Sequence, residues 1–280
     1  MPSPPSAPDE RPTPAAPRSP TAAGTGPVPV ARIPLESPFQ EPGTAVTLLR
    51  PRGPVRRIVL VLPVEKHNGT KYGSALEEIS RLPATLRDGT LFAAPTFSAS
   101  PWLVNHSSRA DQQQEDHFTQ VVVPTVLATL GGEQPRPPVH LLGYSKGGFA
   151  ALNLIARHPG VFTAASVWDP SLLSDRPPHP QLVELAGDGA RLDEYDVRSN
   201  LRRHAGPLRG GRRIALGGIG TLEADWTAGR QLLQRLDIPH RAYRDAPAEH
   251  RWSAAWLAPA MRHLLALESR LHPGPVAREG

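Results

Sequence analysis

The absence of cysteine from this 280-residue chain excludes disulfides, thiolate metal sites and a cysteine nucleophile. Its net charge of +5 comes mostly from arginines scattered along the chain, not from a basic stripe interleaved with aromatics, so no nucleic-acid surface is expected. No apolar run reaches the ~18 residues of a membrane helix, so no membrane span is expected either.

Residues 1–28 are almost all Pro, Ala, Ser, Thr and Gly, a composition that buries too little apolar surface to offset chain entropy. They read as a disordered tail without the apolar centre of a secretory signal, which points to a cytoplasmic location. One domain is expected over 29–272, with a short flexible end over 273–280. Residues 31–35 and 45–50 read as edge strands, and 57–62 (Arg-Ile-Val-Leu-Val-Leu) as a central strand stopped by Pro63. Residues 72–82 have helical spacing, and 90–95 read as a buried strand. The spacing of Phe118, Val121, Val122, Val126 and Leu127 predicts a long helix over 112–130, kinked or split by Pro124. Residues 139–142 read as a strand, followed by a helix that ends at His158-Pro159-Gly160. Further strands are expected over 164–168, 213–216 and 240–244, and helices over 225–236 and 251–271. The stretch 169–206 is polar and Pro-rich, with at most one short helix. Strand–helix alternation of this kind predicts an α/β fold with a mostly parallel sheet covered on both faces.

The motif that carries chemistry is Gly143-Tyr144-Ser145-Lys146-Gly147, set between the strand 139–142 and the apolar face Phe149, Ala150, Leu152, Leu154 and Ile155. A serine in a sharp strand-to-helix turn has a strained backbone and an exposed hydroxyl, and glycines beside it allow close backbone passage. Ser145 is therefore the candidate nucleophile. A serine hydroxyl needs a base, and the base needs an orienting acid. His250 follows the strand 240–244 at the start of the last helix and is the candidate base; His240 and His263 lie in a strand and a helix. The loop after 213–216 holds Glu223 and Asp225. Asp225 is the favoured acid, Glu223 the alternative, and Asp169 a third candidate. Backbone N–H groups of Lys146 and of Val64 or Glu65 are the expected oxyanion donors. The Lys146 side chain is expected in solvent. Trp102 and Tyr144 are candidate substrate contacts; Trp102, Phe97 and Trp168 line an acyl pocket or sit in the core. His67 and His106 lie in separate loops without ligand spacing, so no metal site is expected.

At these residues the chain resembles the α/β-hydrolase superfamily. Within it, the chain is more closely similar to the bacterial "putative esterase" group, which includes feruloyl esterases, S-formylglutathione hydrolases and mycolyltransferases. The matching stretches include Leu62-Pro63-Val64-Glu65, Ala94-Pro95-Thr96-Phe97, Pro101-Trp102, Leu141 to Gly148, Arg157-His158-Pro159, Trp168-Asp169, and His250 with Trp252. The resemblance implies a central sheet of about eight strands, a Ser-His-acid triad, small ester or thioester substrates and no cofactor. Such relatives carry a G-x-x-D-type loop after the penultimate strand, where this chain has Gly220-Thr221-Leu222-Glu223-Ala224-Asp225. Hydrolysis, acyl transfer by the same triad, and a catalytically silent binding protein all fit the sequence. Protein partners are not indicated.

Overall fold

Alternating and continuous apolar runs become eight strands: β1 (Val30–Pro34), β2 (Ala45–Leu49), β3 (Arg57–Val61), β4 (Thr90–Pro95), β5 (Val139–Tyr144), β6 (Ala164–Pro170), β7 (Ile214–Gly217) and β8 (His240–Tyr243). They form one sheet of order β1-β2-β4-β3-β5-β6-β7-β8. The pairs β1/β2 and β2/β4 are antiparallel and all others are parallel. The computed structural model describes residues 30–271 apart from 68, 133–134, 176, 188, 219 and 245–247. The expected tail over 1–28 and end over 273–280 lie outside the described residues.

The helices among the described residues are α1 (Ala75–Ser80), α2 (Ala84–Arg87), α3 (Gln114–His117), α4 (Val123–Ala128), α5 (Ser145–Arg157), α6 (Pro180–Ala186), α7 (Gly189–Glu194), α8 (Val197–Arg203), α9 (Ala205–Arg209), α10 (Glu223–Arg235) and α11 (Ala254–Leu271). Side chains alternate across a strand, so each central strand feeds two cores. Ile58, Leu60, Leu141, Val167 and Leu216 pack beneath Phe118, Phe149, Leu152 and Leu232 on one face. Val59, Val61, Leu142, Trp168 and Ala215 pack beneath Ile79, Leu86, Trp256, Leu257 and Leu264 on the other. Burial on both faces explains why these strands read as continuous apolar runs.

Four expectations change. Strand β2 is internal, so only β1 is an edge at that side. The helix around Pro124 does not split: a π segment (Phe118–Val122) joins α3 to α4, with helical backbone at both junctions. The wider turn accommodates a ring that has no N–H to donate. Between β6 and β7 stand four short helices where the sequence reads as irregular. Pro180 opens α6, and the His179 ring nitrogen caps it by accepting from Gln181 N–H. Finally, β6 runs two residues past Trp168 and carries Asp169 with it.

A buried carboxylate ties this frame together. Glu115 of α3 accepts from Arg157 Nε at 2.7 Å and Nη2 at 3.0 Å, from Tyr195 Oη at 3.0 Å, and from His158 Nε2 at 2.6 Å. Burial alone would raise its pKa, but the bonds from His158 and Arg157 prevail and hold it below its ordinary value.

Candidate active site

The carboxyl ends of β5 and β6 meet at one edge of a cleft of about 710 Å³. Such strand ends are where open α/β sheets present ligand-binding groups. Ser145 sits at the β5–α5 turn with φ of 51°, in the left-handed region that a residue with a Cβ seldom adopts. The strain is held from two sides. Ser145 bridges to Pro170, and its carbonyl accepts from Ser171 N–H at 3.2 Å. Behind the turn, a Cβ on Gly147 would stand 2.7 Å from the Leu62 carbonyl oxygen, so only glycine lets the segment after β3 lie this close. That contact brings Val64 and Glu65 to the cleft wall beside Ser145 and Lys146.

His250 lines the same cleft. Its Nδ1 donates to Asp169 Oδ2 at 2.6 Å, so in the neutral ring Nε2 carries the lone pair. The imidazole packs edge-on against Tyr144, with ring centroids 5.3 Å apart, and near Trp168 at 6.3 Å. Trp168 in turn stacks on Trp256 at 5.3 Å with an interplanar angle of 11°. Asp169 is fully buried and also has a positive φ, 47°. Its carboxylate accepts two backbone N–H bonds, from Thr221 at 2.9 Å and Leu222 at 3.0 Å. Gly220 passes so close that a Cβ there would overlap the Asp169 carboxyl group.

The two favoured acids are elsewhere. Asp225, buried in the first turn of α10, accepts from the N–H groups of Leu173 (2.8 Å) and Ser174 (2.7 Å) and from Ser174 Oγ (2.8 Å). It anchors the segment after β6 and does not meet His250. Glu223 is exposed and pairs with Arg244 at 2.5 Å. Both start α10, where carboxylates favour the helix dipole. The loop after β7 thus supplies two N–H donors to Asp169, and neither of its carboxylates bonds His250. The sequence signal for Asp169 was its place directly after a strand neighbouring the elbow.

Other expected positions separate cleanly. Lys146 does not extend into solvent: Nζ donates to Ser100 Oγ at 2.7 Å and Gln181 Oε1 at 3.3 Å inside the cleft. Burial lowers its pKa from 10.5 to about 8, with Glu65 opposing the shift. Trp102 and Tyr144 both line the cleft, whereas Phe97 is core and Trp168 lies behind His250. Tyr144 Oη is buried and unbonded among the described residues, and burial, then Glu65 and Tyr72, push its pKa up. His240 bonds the Ile238 carbonyl, and His263 packs on Tyr243; neither reaches the cleft.

The structure is similar to a ferulic acid esterase, with a TM-score of 0.64, 15% identity, and 87% of this chain and 99% of that chain covered. An S-formylglutathione hydrolase from Agrobacterium tumefaciens matches with a TM-score of 0.64, 15% identity, and coverage of 87% and 95%. FphF from Staphylococcus aureus, a fluorophosphonate-binding serine hydrolase, matches with a TM-score of 0.66, 14% identity, and coverage of 86% and 99%. These likenesses establish the α/β-hydrolase fold. A search of curated proteins gives no match. No helix among the described residues is long and apolar enough to cross a membrane. The family described as "Putative esterase" matches residues 98–254, more than half of the sequence and the whole stretch from the cleft loop through the elbow to His250. The chain belongs to that family and is an ester-hydrolysing enzyme of the α/β-hydrolase fold.

Proposed function

We propose that the protein is a serine hydrolase of small carboxylic or thio esters, working through Ser145, His250 and Asp169. The carrying observation is that Asp169, on the strand beside the elbow, bonds His250 Nδ1 while the imidazole shares the Ser145 cleft. His250 Nε2 accepts the Ser145 proton as Oγ attacks the ester carbonyl. Backbone N–H groups of Lys146 and of Val64 or Glu65 receive the developing oxyanion. The imidazolium, steadied by Asp169, returns the proton to the leaving alkoxide. Water then attacks the acyl-enzyme with His250 again as base.

Ser145→Ala should lower the hydrolysis rate of p-nitrophenyl acetate by roughly 10³-fold or more. It should also abolish covalent labelling by a fluorophosphonate. Unchanged turnover with retained folding would overturn the assignment. Acyl transfer uses the same steps with an alcohol or thiol in place of water, and product analysis with competing acceptors separates the two.

A further inference from the structure

Lys146 leaves the first turn of α5 and turns into the cleft, one residue from Ser145. Its Nζ rests on Ser100 Oγ and Gln181 Oε1, with the Trp102 ring centroid 5.1 Å away. These groups also hold one another. Ser100 Oγ donates to Gln181 Oε1 at 3.0 Å, and Trp102 Nε1 reaches the same oxygen at 3.4 Å. The amine is therefore held in one place by the loop after β4 and by α6. All of these partners are neutral, and no described residue forms an ion pair with it.

A partly desolvated ammonium that meets only neutral dipoles is an expensive choice for a wall residue. A methionine would fill the same length at less cost. An ammonium also carries three donors, and only two are used by Ser100 and Gln181. Glu65 is the one carboxylate lining the cleft among the described residues, and its oxygens accept from the N–H groups of Lys71 at 3.2 Å and Tyr72 at 3.0 Å. Lys66 and His179 add further basic groups to the rim.

Resting on the serine-esterase reading, we propose that Lys146 is a specificity residue whose ammonium recognises an ionised group on the substrate. The preferred substrates are then esters carrying a carboxylate or phosphate near the scissile carbonyl. Ser100 and Gln181 are positioning residues that hold Nζ on the Trp102 side of the cleft. The charge completes the amine's bonding only when such a substrate is bound, which explains why the resting protein bears the desolvation.

The test uses the full chain at pH 7 and three pairs of esters. Methyl hydrogen glutarate against methyl valerate places the anion on the acyl half. Against 3-acetoxypropanamide, 3-acetoxypropanoate and 2-acetoxyethyl phosphate place a carboxylate or a phosphate on the alcohol half. At least one anionic ester should show kcat/KM roughly tenfold or more above its neutral partner, the range of a charge-assisted hydrogen bond. Lys146→Met should lose most of that ratio and Lys146→Arg should keep it, with Lys146→Gln standing in if the methionine variant does not fold. Equal rates on charged and neutral esters in the wild type, or a preference that survives in Lys146→Met, would overturn the proposal. If no ester is turned over, the esterase reading itself has failed. Calorimetric titration with the same three anions then decides the inference: tighter binding by wild type than by Lys146→Met supports it, and equal affinity sinks it.

Discussion

His250 Nδ1 lies 2.6 Å from Asp169 Oδ2, and Asp169 stands on β6, paired directly with the strand that ends in Ser145. The elbow and the carboxylate thus belong to one rigid pair of strands. Asp169→Asn should reduce kcat by about 10³–10⁴-fold, because an amide no longer enforces the Nδ1–H tautomer or steadies the imidazolium. Asp225→Ala should change kcat by less than about threefold while lowering stability by roughly 1–3 kcal/mol through its lost bonds to the Leu173–Ser174 turn. Steady-state kinetics and denaturant melts on both variants check this. The reverse pattern would return the acid to α10.

Gly220 should matter to rate more than its distance from Ser145 implies. A Cβ there overlaps the Asp169 carboxyl group, which must shift away from His250 or from its two N–H donors. Gly220→Ala is expected to lower kcat by about 10- to 100-fold with KM within threefold. Loss of the low-field Nδ1 proton resonance of His250 would accompany the fall. Wild-type kcat would show that the carboxylate needs no such clearance.

Glu115 offers a stability test away from the cleft. Glu115→Gln leaves the half-buried Arg157 guanidinium with Glu194 as its remaining carboxylate partner at 3.1 Å, and should cost about 1–3 kcal/mol in urea unfolding. The folded pKa of Glu115 is depressed, so its contribution is fully present above the ordinary carboxylate range of about 4.3. It is lost as pH falls through the lower folded value. The gap between wild type and Glu115→Gln should therefore close on acidification below about pH 4, and a gap independent of pH would refute the linkage.

Lys146 reverses that sign. Its folded pKa of about 8 lies below the ordinary 10.5, because burial disfavours the cation. Between these values the unfolded chain binds more protons, so stability rises with pH there, and below about 8 the full penalty is present. Glu65 offsets part of it; Lys66, Tyr72, Tyr144, His179 and His250 are the other titratable groups on the cleft walls. Lys146→Met should melt higher than wild type at pH 7, by roughly 1–2 kcal/mol after screening at the cleft mouth. The difference should shrink towards pH 10. A variant that melts lower at pH 7 would show that the amine stabilises the resting fold.

The meeting of Ser145 and His250 in one cleft was legible because each place follows from a local requirement: a glycine-flanked turn between strand and helix, and a loop after the last strand. Which carboxylate bonds His250 was not. Three carboxylates follow strands in the right chain order, and choosing among them needs the length of β6, which Trp168 seemed to end and Pro170 in fact ends. The positive φ of Asp169 aims its side chain, and no residue pattern marks it. The helices between β6 and β7 were hidden by prolines at 177, 178 and 180, although Pro180 occupies a favoured first-turn position. The lysine was misplaced because its partners, Ser100 and Gln181, are distant in sequence and meet it only through the fold.

Three of the five tryptophans crowd the rear of His250: Trp168 and Trp256 stack, Trp252 adjoins Trp256 at 5.3 Å, and Tyr144 touches them all. Indole emission is quenched by a nearby imidazolium and responds to the polarity of its surroundings. The protein therefore carries a built-in optical reporter beside the cleft, whose change on mixing would time the arrival of an ester without any label.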